Sequence, residues 1–363
     1  MKRIYFTVTT DLTYDQRMQR ICTSMAENGY DVVLVGKKLK TSLPLKEEKF
    51  RQRRIRVLFR KGKLFYIEYN LRLFFFLLFR RMDAICAIDL DTIIPGYMIS
   101  ILKRIPRVYD AHEYFTEMKE VITRPAIRKV WLAIERFSIP RFKYGYTVGE
   151  KIASEFKRIY GVDYALVRNI ARLRHLSMER PSEKFLLYQG AVNEARAFEQ
   201  VIPAMKMIDL KLVVCGDGNF MPQLKKLIAE HGVGNKVELK GMVTPPELWK
   251  ITQQAWLGIA VAESKGLNQY WALPNKFFDF IHAGVPQLTM DYPEYRKINE
   301  EYEVAILLKE PDSAAIAGAI NNLLQNSVVY EGLKKNCLDA RQVYNWQSEE
   351  KTLLDFYQLV FKD

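Results

Sequence analysis

Short runs of β-branched and other apolar residues return along this chain at intervals that leave room for one helix each. No other feature limits its fold as tightly. Ile4 to Thr9, Val32 to Val35, Ala84 to Ile88, the run opening at Arg107 and Tyr144 to Val148 read as one series of strands. Ser182 to Gly190, Leu212 to Gly218 with a flexible end, Val237 to Val243 with its turn, Leu257 to Ala262 and Gln287 to Met290 read as a second. Between them lie helical patterns. Met18, Ile21, Cys22, Met25 and Ala26 keep helical spacing after Asp15, Asn28-Gly29 stops them, and Ile93 to Leu102, Trp131 to Phe137 and Ile152 to Tyr160 continue the theme. Alternation of this kind builds a parallel sheet with helices on both faces. Two series in 363 residues, enough for two cores, predict an α/β chain of two doubly wound, Rossmann-like domains facing across a cleft. The junction is expected at Asn169.

The stretch from Glu263 to Pro286 carries the clearest chemistry. Leu273-Pro274-Asn275-Lys276 starts a helix with proline near its first turn, where a missing N–H costs nothing. Free first-turn amides and the positive end of the helix dipole attract an anion, and Lys276 adds a full charge there. Asp279, one turn on, can accept hydrogen bonds from a pair of sugar hydroxyls. Gly284-Val285-Pro286 closes the helix. The stretch reads as a clamp for a nucleotide diphosphate. A loop at the carboxyl end of a parallel strand is where open sheets place ligands, and Asp110-Ala111-His112-Glu113 is such a loop. Its ionisable groups fit a site, or a capping cluster on an exposed turn. Asp15-Gln16-Arg17 likewise faces the cleft or forms an exposed capping turn.

Pro274-Asn275-Lys276-Phe277-Phe278-Asp279-Phe280, closed by Ala283-Gly284-Val285-Pro286, resembles the donor-binding segment of GT-B glycosyltransferases of the retaining family 4 type. There two acids separated by seven residues precede an Ala-Gly-x-Pro ending. Asp279 matches the second acid, Trp271 stands where the first would be, and Glu263 lies further upstream. Asp110 to Glu113 is similar to the family's Asp-x-His-Glu stretch, which makes His112 a residue of the catalytic centre. Gly190 and the loop to Ala197 are similar to the glycine-loop-cation segment: Ala191 replaces the first cation, and Arg196 falls at the second, where it holds diphosphate or is a surface helix residue. Gly216-Asp217-Gly218 is similar to the turn below the nucleotide, and Val237 to Val243 to the strand and turn against the base.

The resemblance implies that 1–168 form an acceptor-side domain, that 169–345 bind the donor, and that a helix over about 346–363 packs back on the first. It implies a nucleotide-diphosphate sugar, UDP- or GDP-linked, as donor, transferred to an acceptor hydroxyl with retention and without metal or other cofactor. His112, Arg196 and Lys276 would be catalytic, and Gly190, Arg196, Gly216, Pro274, Asn275, Lys276 and Asp279 would hold the donor. An epimerase of the same fold, or a nucleotide-sugar-binding module without activity, are the other readings.

Charge adds a partner. The net +13 is uneven: residues 1–168 hold 33 Lys and Arg against 18 Asp and Glu, and the remainder 22 against 24. Nine lysines and arginines crowd positions 46–63, and the nearly all-apolar Leu71 to Phe79 follows, ending in Arg80-Arg81. That run is too short to span a bilayer. The expectation is a helix partly buried, with a basic rim on an anionic membrane surface through residues 46–81, lost if Arg51, Arg53, Arg54 and Arg56 become serine. A lipid-linked or saccharide acceptor for cell-surface polysaccharide or glycolipid synthesis follows from it; nucleic acid does not, as no binding motif accompanies the charge. Asp89-Leu90-Asp91 reads as Asp91-Thr92 capping the next helix, or as the metal-binding acids of a GT-A enzyme. Met1-Lys2-Arg3 running straight into a strand, and four scattered cysteines, fit a reducing cytoplasm, with the protein peripheral on the inner membrane face.

Overall fold

The computed structural model describes residues 1–13, 15–176, 183–264 and 266–362. The chain divides into two compact units. One is Met1–Arg168 with Gly266–Asn268 and Glu349–Asp363, the other Asn169–Lys265 with Gln269–Ser348.

In the first unit, β1 (Arg3–Thr7), β2 (Asp31–Lys38), β3 (Arg51–Arg56), β4 (Ala84–Ile88), β5 (Arg107–Ala111), β6 (Tyr144–Thr147) and β7 (Ala165–Leu166) form one sheet in the order β3-β2-β1-β4-β5-β6-β7. Every pairing is parallel. Central strands covered on both faces must be apolar throughout, and β4, AICAI, is buried at every position. β3 differs. Its sequence RQRRIR is the edge of the sheet, half exposed, and the sequence reading took it only as part of a basic stretch.

Helices α1 (Gln16–Glu27), α2 (Gly62–Leu78), α3 (Ile93–Lys103) and α4 (Pro125–Ser138) cover this sheet. Asp15 caps α1, accepting from Met18 N at 3.1 Å. The cap expected at Asp91-Thr92 does not form: Thr92 Oγ1 donates to Thr7 O or Ile88 O, at 3.0 and 3.1 Å, which are nearer in the core.

In the second unit, β8 (Phe185–Gln189), β9 (Lys211–Cys215), β10 (Val237–Gly241), β11 (Leu257–Ile259), β12 (Gln287–Met290) and β13 (Ala305–Leu308) run parallel in the order β10-β9-β8-β11-β12-β13. The expected strand start at Ser182 lies outside the described residues. Helices α5 (Phe198–Ala204) and α6 (Asn275–Ala283) follow β8 and β11. α7 (Trp346–Val360) closes the chain, and its Tyr357 is buried against Phe6 and Tyr146 of the first unit, to which residues from Glu349 onward belong.

Each sheet reverses its strand order once, between β1 and β4 and between β8 and β11. The carboxyl ends of strands flanking such a reversal leave a crevice that ligands use.

Candidate functional site

In the second unit the crevice beside β8 is built by close backbone contact. Gly190 follows β8 with φ +116° and donates its N–H to Cys215 O at 3.0 Å, while Val192 N reaches Asp217 O at 3.0 Å. A Cβ on Gly216 would stand 1.9 Å from Gly190 O, and one on Gly218 would stand 2.2 Å from Val192 O. Glycine at 216 is therefore demanded by the neighbouring strand end. The loop that follows is strained: Ala195 and Ala197 hold φ of 63° and 55°, a region that alanine enters at roughly 1–2 kcal/mol each. Ala195 O accepts from Glu263 N at 3.1 Å, which ties the loop across the strand reversal. Such strain is kept where the surroundings over-determine it, and it sets Arg196 between the two turned alanines.

Lys276 stands opposite. It is the second residue of α6, whose first turn follows Pro274 with no side-chain cap. Its Nζ lies 4.7 Å from the centre of the Tyr188 ring. Burial and then the charge of Arg196 push its pKa down from 10.5 to about 7. Arg196 also acts on Tyr188 and Tyr295. Among the described residues neither Arg196 nor Lys276 forms an ion pair with a carboxylate. Two neighbouring cations at a helix N-terminus repel one another, and an anion between them relieves both.

Asp279 faces Gln189, whose Nε2 donates to Asp279 Oδ2 at 3.2 Å while its Oε1 accepts from Thr252 Oγ1 at 2.7 Å. Gln189 and Thr252 were not found by the sequence reading, although a glutamine ending the apolar strand FLLYQ was a usable signal. Thus Gly190 and Gly216 follow strand ends, Arg196 lies in the loop before α5, and Pro274, Asn275, Lys276 and Asp279 lie at the start of α6, all in one unit.

His112 lies in the first unit, after β5. The exposed-turn alternative fails here. Asp110 is buried and receives Arg17 through Nη2 at 2.8 Å and Nε at 3.3 Å, while Arg17 Nη1 donates to Val167 O at 3.1 Å. Nor is Arg17 part of an exposed turn: it is 4% exposed. Burial, then Arg17 and Arg20, depress the His112 pKa to about 3, so its imidazole is neutral at any working pH. Glu113 is held by Asn268, whose Nδ2 donates to it at 2.8 Å and whose Oδ1 accepts from Tyr114 N at 2.8 Å. Asp89 accepts from Glu113 N at 3.1 Å, and Asp91 from Thr9 Oγ1 at 2.5 Å. Both acids of the Asp-x-Asp pair thus serve the ends of neighbouring strands. Burial raises the Asp91 pKa to about 6.

Comparison with known proteins bears on both units. Residues 172–339 match the family model described as glycosyl transferases group 1. An uncharacterized glycosyltransferase of Methanocaldococcus jannaschii is 25% identical over 189 residues, a stretch spanning 50% of this chain and 46% of that relative's length. A sucrose-phosphate synthase structure from Thermosynechococcus elongatus superposes with a TM-score of 0.81 at 15% identity, covering 100% of both chains. The Anabaena protein HepE in complex with UDP superposes at 0.75 and 12%, covering 99% of this chain and 100% of that one. The chain has the GT-B fold, two units each built on a parallel sheet, and its residues 172–339 are similar to the glycosyl transferases group 1 family.

Proposed function

We propose that this protein is a glycosyltransferase that moves a sugar from a nucleotide-diphosphate donor to an acceptor hydroxyl. The observation that carries it is the pair Arg196 and Lys276, without carboxylate partners among the described residues, at the uncapped N-terminus of α6. Loss of diphosphate from the anomeric carbon puts negative charge on the leaving group and positive charge on the ring. Preorganised cations and amides stabilise the former, and this is the largest lever such a site has. Lys276, half neutral near pH 7, becomes fully charged beside the diphosphate, so its contribution grows as the leaving group forms. Asp279, oriented by Gln189, is the ribose ligand in this reading, and neutral His112 hydrogen-bonds the transferred sugar without placing charge there.

UDP is the favoured nucleotide of the donor, since HepE, of similar fold, was solved with UDP and with UDP-glucose. We assign same-face attack assisted by the leaving phosphate, with retention. The partners are a lipid-linked or saccharide acceptor and an anionic bilayer, with the protein cytoplasmic at the inner membrane face. UDP release from UDP-sugars, assayed with and without candidate acceptors, tests the reading. Acceptor-dependent release that falls roughly 100–1,000-fold in Arg196→Ala supports it. Conversion of one UDP-sugar into its epimer without any acceptor or net UDP release would instead indicate an epimerase, and an inverted product would remove the same-face mechanism.

A further inference from the structure

We infer that the first unit meets an anionic lipid bilayer through the outer face of α2 and its neighbours α3 and α4, and not through the basic strand β3. The inference rests on the membrane reading above and assigns it a surface. α2 has two apolar sides. Phe65, Tyr69, Leu73 and Leu77, four residues apart, are buried against the sheet. Leu64, Ile67, Leu71 and Phe75 lie on the opposite side, each about half exposed, and Phe79 just beyond is 81% exposed. The stripe continues sideways onto exposed Ile101 and Leu102 of α3 and Val130 of α4. Tyr66 packs on Trp131 and Tyr97 on Phe137, which holds the three helices in one layer. A contiguous apolar face of this extent on one side of a domain marks an interaction surface.

Charge decides what covers it. The single acid of α2, Glu68, is consumed: its carboxylate accepts from Leu58 N and Phe59 N at 2.9 Å and from Arg72 Nε at 2.8 Å. Those contacts fold the 57–61 loop back onto the helix and leave Leu58 77% exposed beside Lys61 and Lys63. At the other end Lys103 Nζ donates to Leu78 O at 2.8 Å, which gathers Lys103 and Arg104 beside Arg80 and Arg81. An apolar stripe bounded at both ends by cations, with its one acid neutralised, complements acyl chains flanked by anionic headgroups. Two of the four arginines of β3 are instead engaged within the unit: Arg51 with Asp31 at 2.5 Å, and Arg54 with Thr13 Oγ1 at 2.9 Å and Leu43 O at 2.6 Å. Asn70 Nδ2 of α2 donates to Asp91 O at 2.9 Å, so this lipid-facing helix also touches the strand ends where open sheets take ligands.

The test is co-sedimentation of the full chain with vesicles of phosphatidylglycerol and phosphatidylcholine, against phosphatidylcholine alone. Two variants are compared, each checked for an unchanged melting temperature: Leu71→Ser with Phe75→Ser and Phe79→Ser, and Arg51, Arg53, Arg54 and Arg56→Ser. Each of these exposed side chains removed lowers partitioning roughly fivefold, so the first variant loses about 100-fold. The second keeps most of its binding. Loss in the arginine variant with retention in the apolar one would overturn the inference while leaving the membrane reading intact. Failure of the wild type to bind either vesicle would overturn both. A dimer in solution that the apolar variant dissociates would assign the face to a second copy of the chain and overturn the inference as well.

Discussion

Lys276 holds its proton loosely because burial and Arg196 both disfavour the charged form, and a bound diphosphate reverses that balance. Affinity for UDP is therefore predicted to fall as pH rises through about 7, by up to roughly tenfold per unit, because binding must then recruit a proton. Titration calorimetry between about pH 7 and 9 measures this, and Lys276→Met should weaken binding and flatten the slope. The sign for folding is opposite. With the folded pKa near 7 and the ordinary value 10.5, the unfolded chain binds more protons between them, so unliganded stability is lowest below pH 7 and rises through that window. Lys276→Met should accordingly raise the melting temperature of the unliganded protein at neutral pH. Arg17 and Asp110 make the contrasting case of a buried pair that is fully matched. Arg17→Met alone should cost about 3–5 kcal/mol by leaving a buried carboxylate unpaired, and adding Asp110→Asn should recover much of it in urea unfolding.

At the scale of elements, the strand ends hold the donor crevice in shape. Gly216→Ala should destabilise by about 3 kcal/mol or more, since the new methyl meets the Gly190 carbonyl and neither backbone can withdraw without breaking β8 from β9. Gly190→Ala, with open space around its Cβ, should cost less, through φ alone. A thermal melt of both variants ranks them. The contrast shows what local pattern can and cannot convey. Ala84 to Ile88 and Gln287 to Met290 were legible to the residue, because strands buried on both faces are unbroken apolar runs. β3 was hidden, since an edge strand carries charge and RQRRIR has no apolar period. α4 was read from Trp131 but begins at Pro125, where proline at the first turn was an available signal. The position of Lys276 at a helix start was legible from Pro274, whereas the burial of Arg17 was not, because its partner is 93 residues away.

The whole chain divides its chemistry as it divides its charge. The excess of Lys and Arg belongs to residues 1–168, where the apolar face of α2 lies, while the remainder, slightly acidic overall, keeps a cationic pair at one crevice. A unit whose charges balance, 20 Lys and Arg against 20 Asp and Glu over 169–265 and 269–348, nonetheless sets Arg196 and Lys276 side by side, which is the signature of a site for an anion. Among the described residues no helix is long and apolar enough to cross a membrane. The most direct measurement of the central claim is a thermal-shift panel of UDP, GDP, ADP and CMP on the wild type and Arg196→Ala, since a ligand bound by the native state alone raises the melting temperature with its affinity. The account predicts a rise with one nucleoside diphosphate, little with CMP, and loss of that rise in the variant. No rise with any diphosphate, or an equal rise in Arg196→Ala, would contradict it.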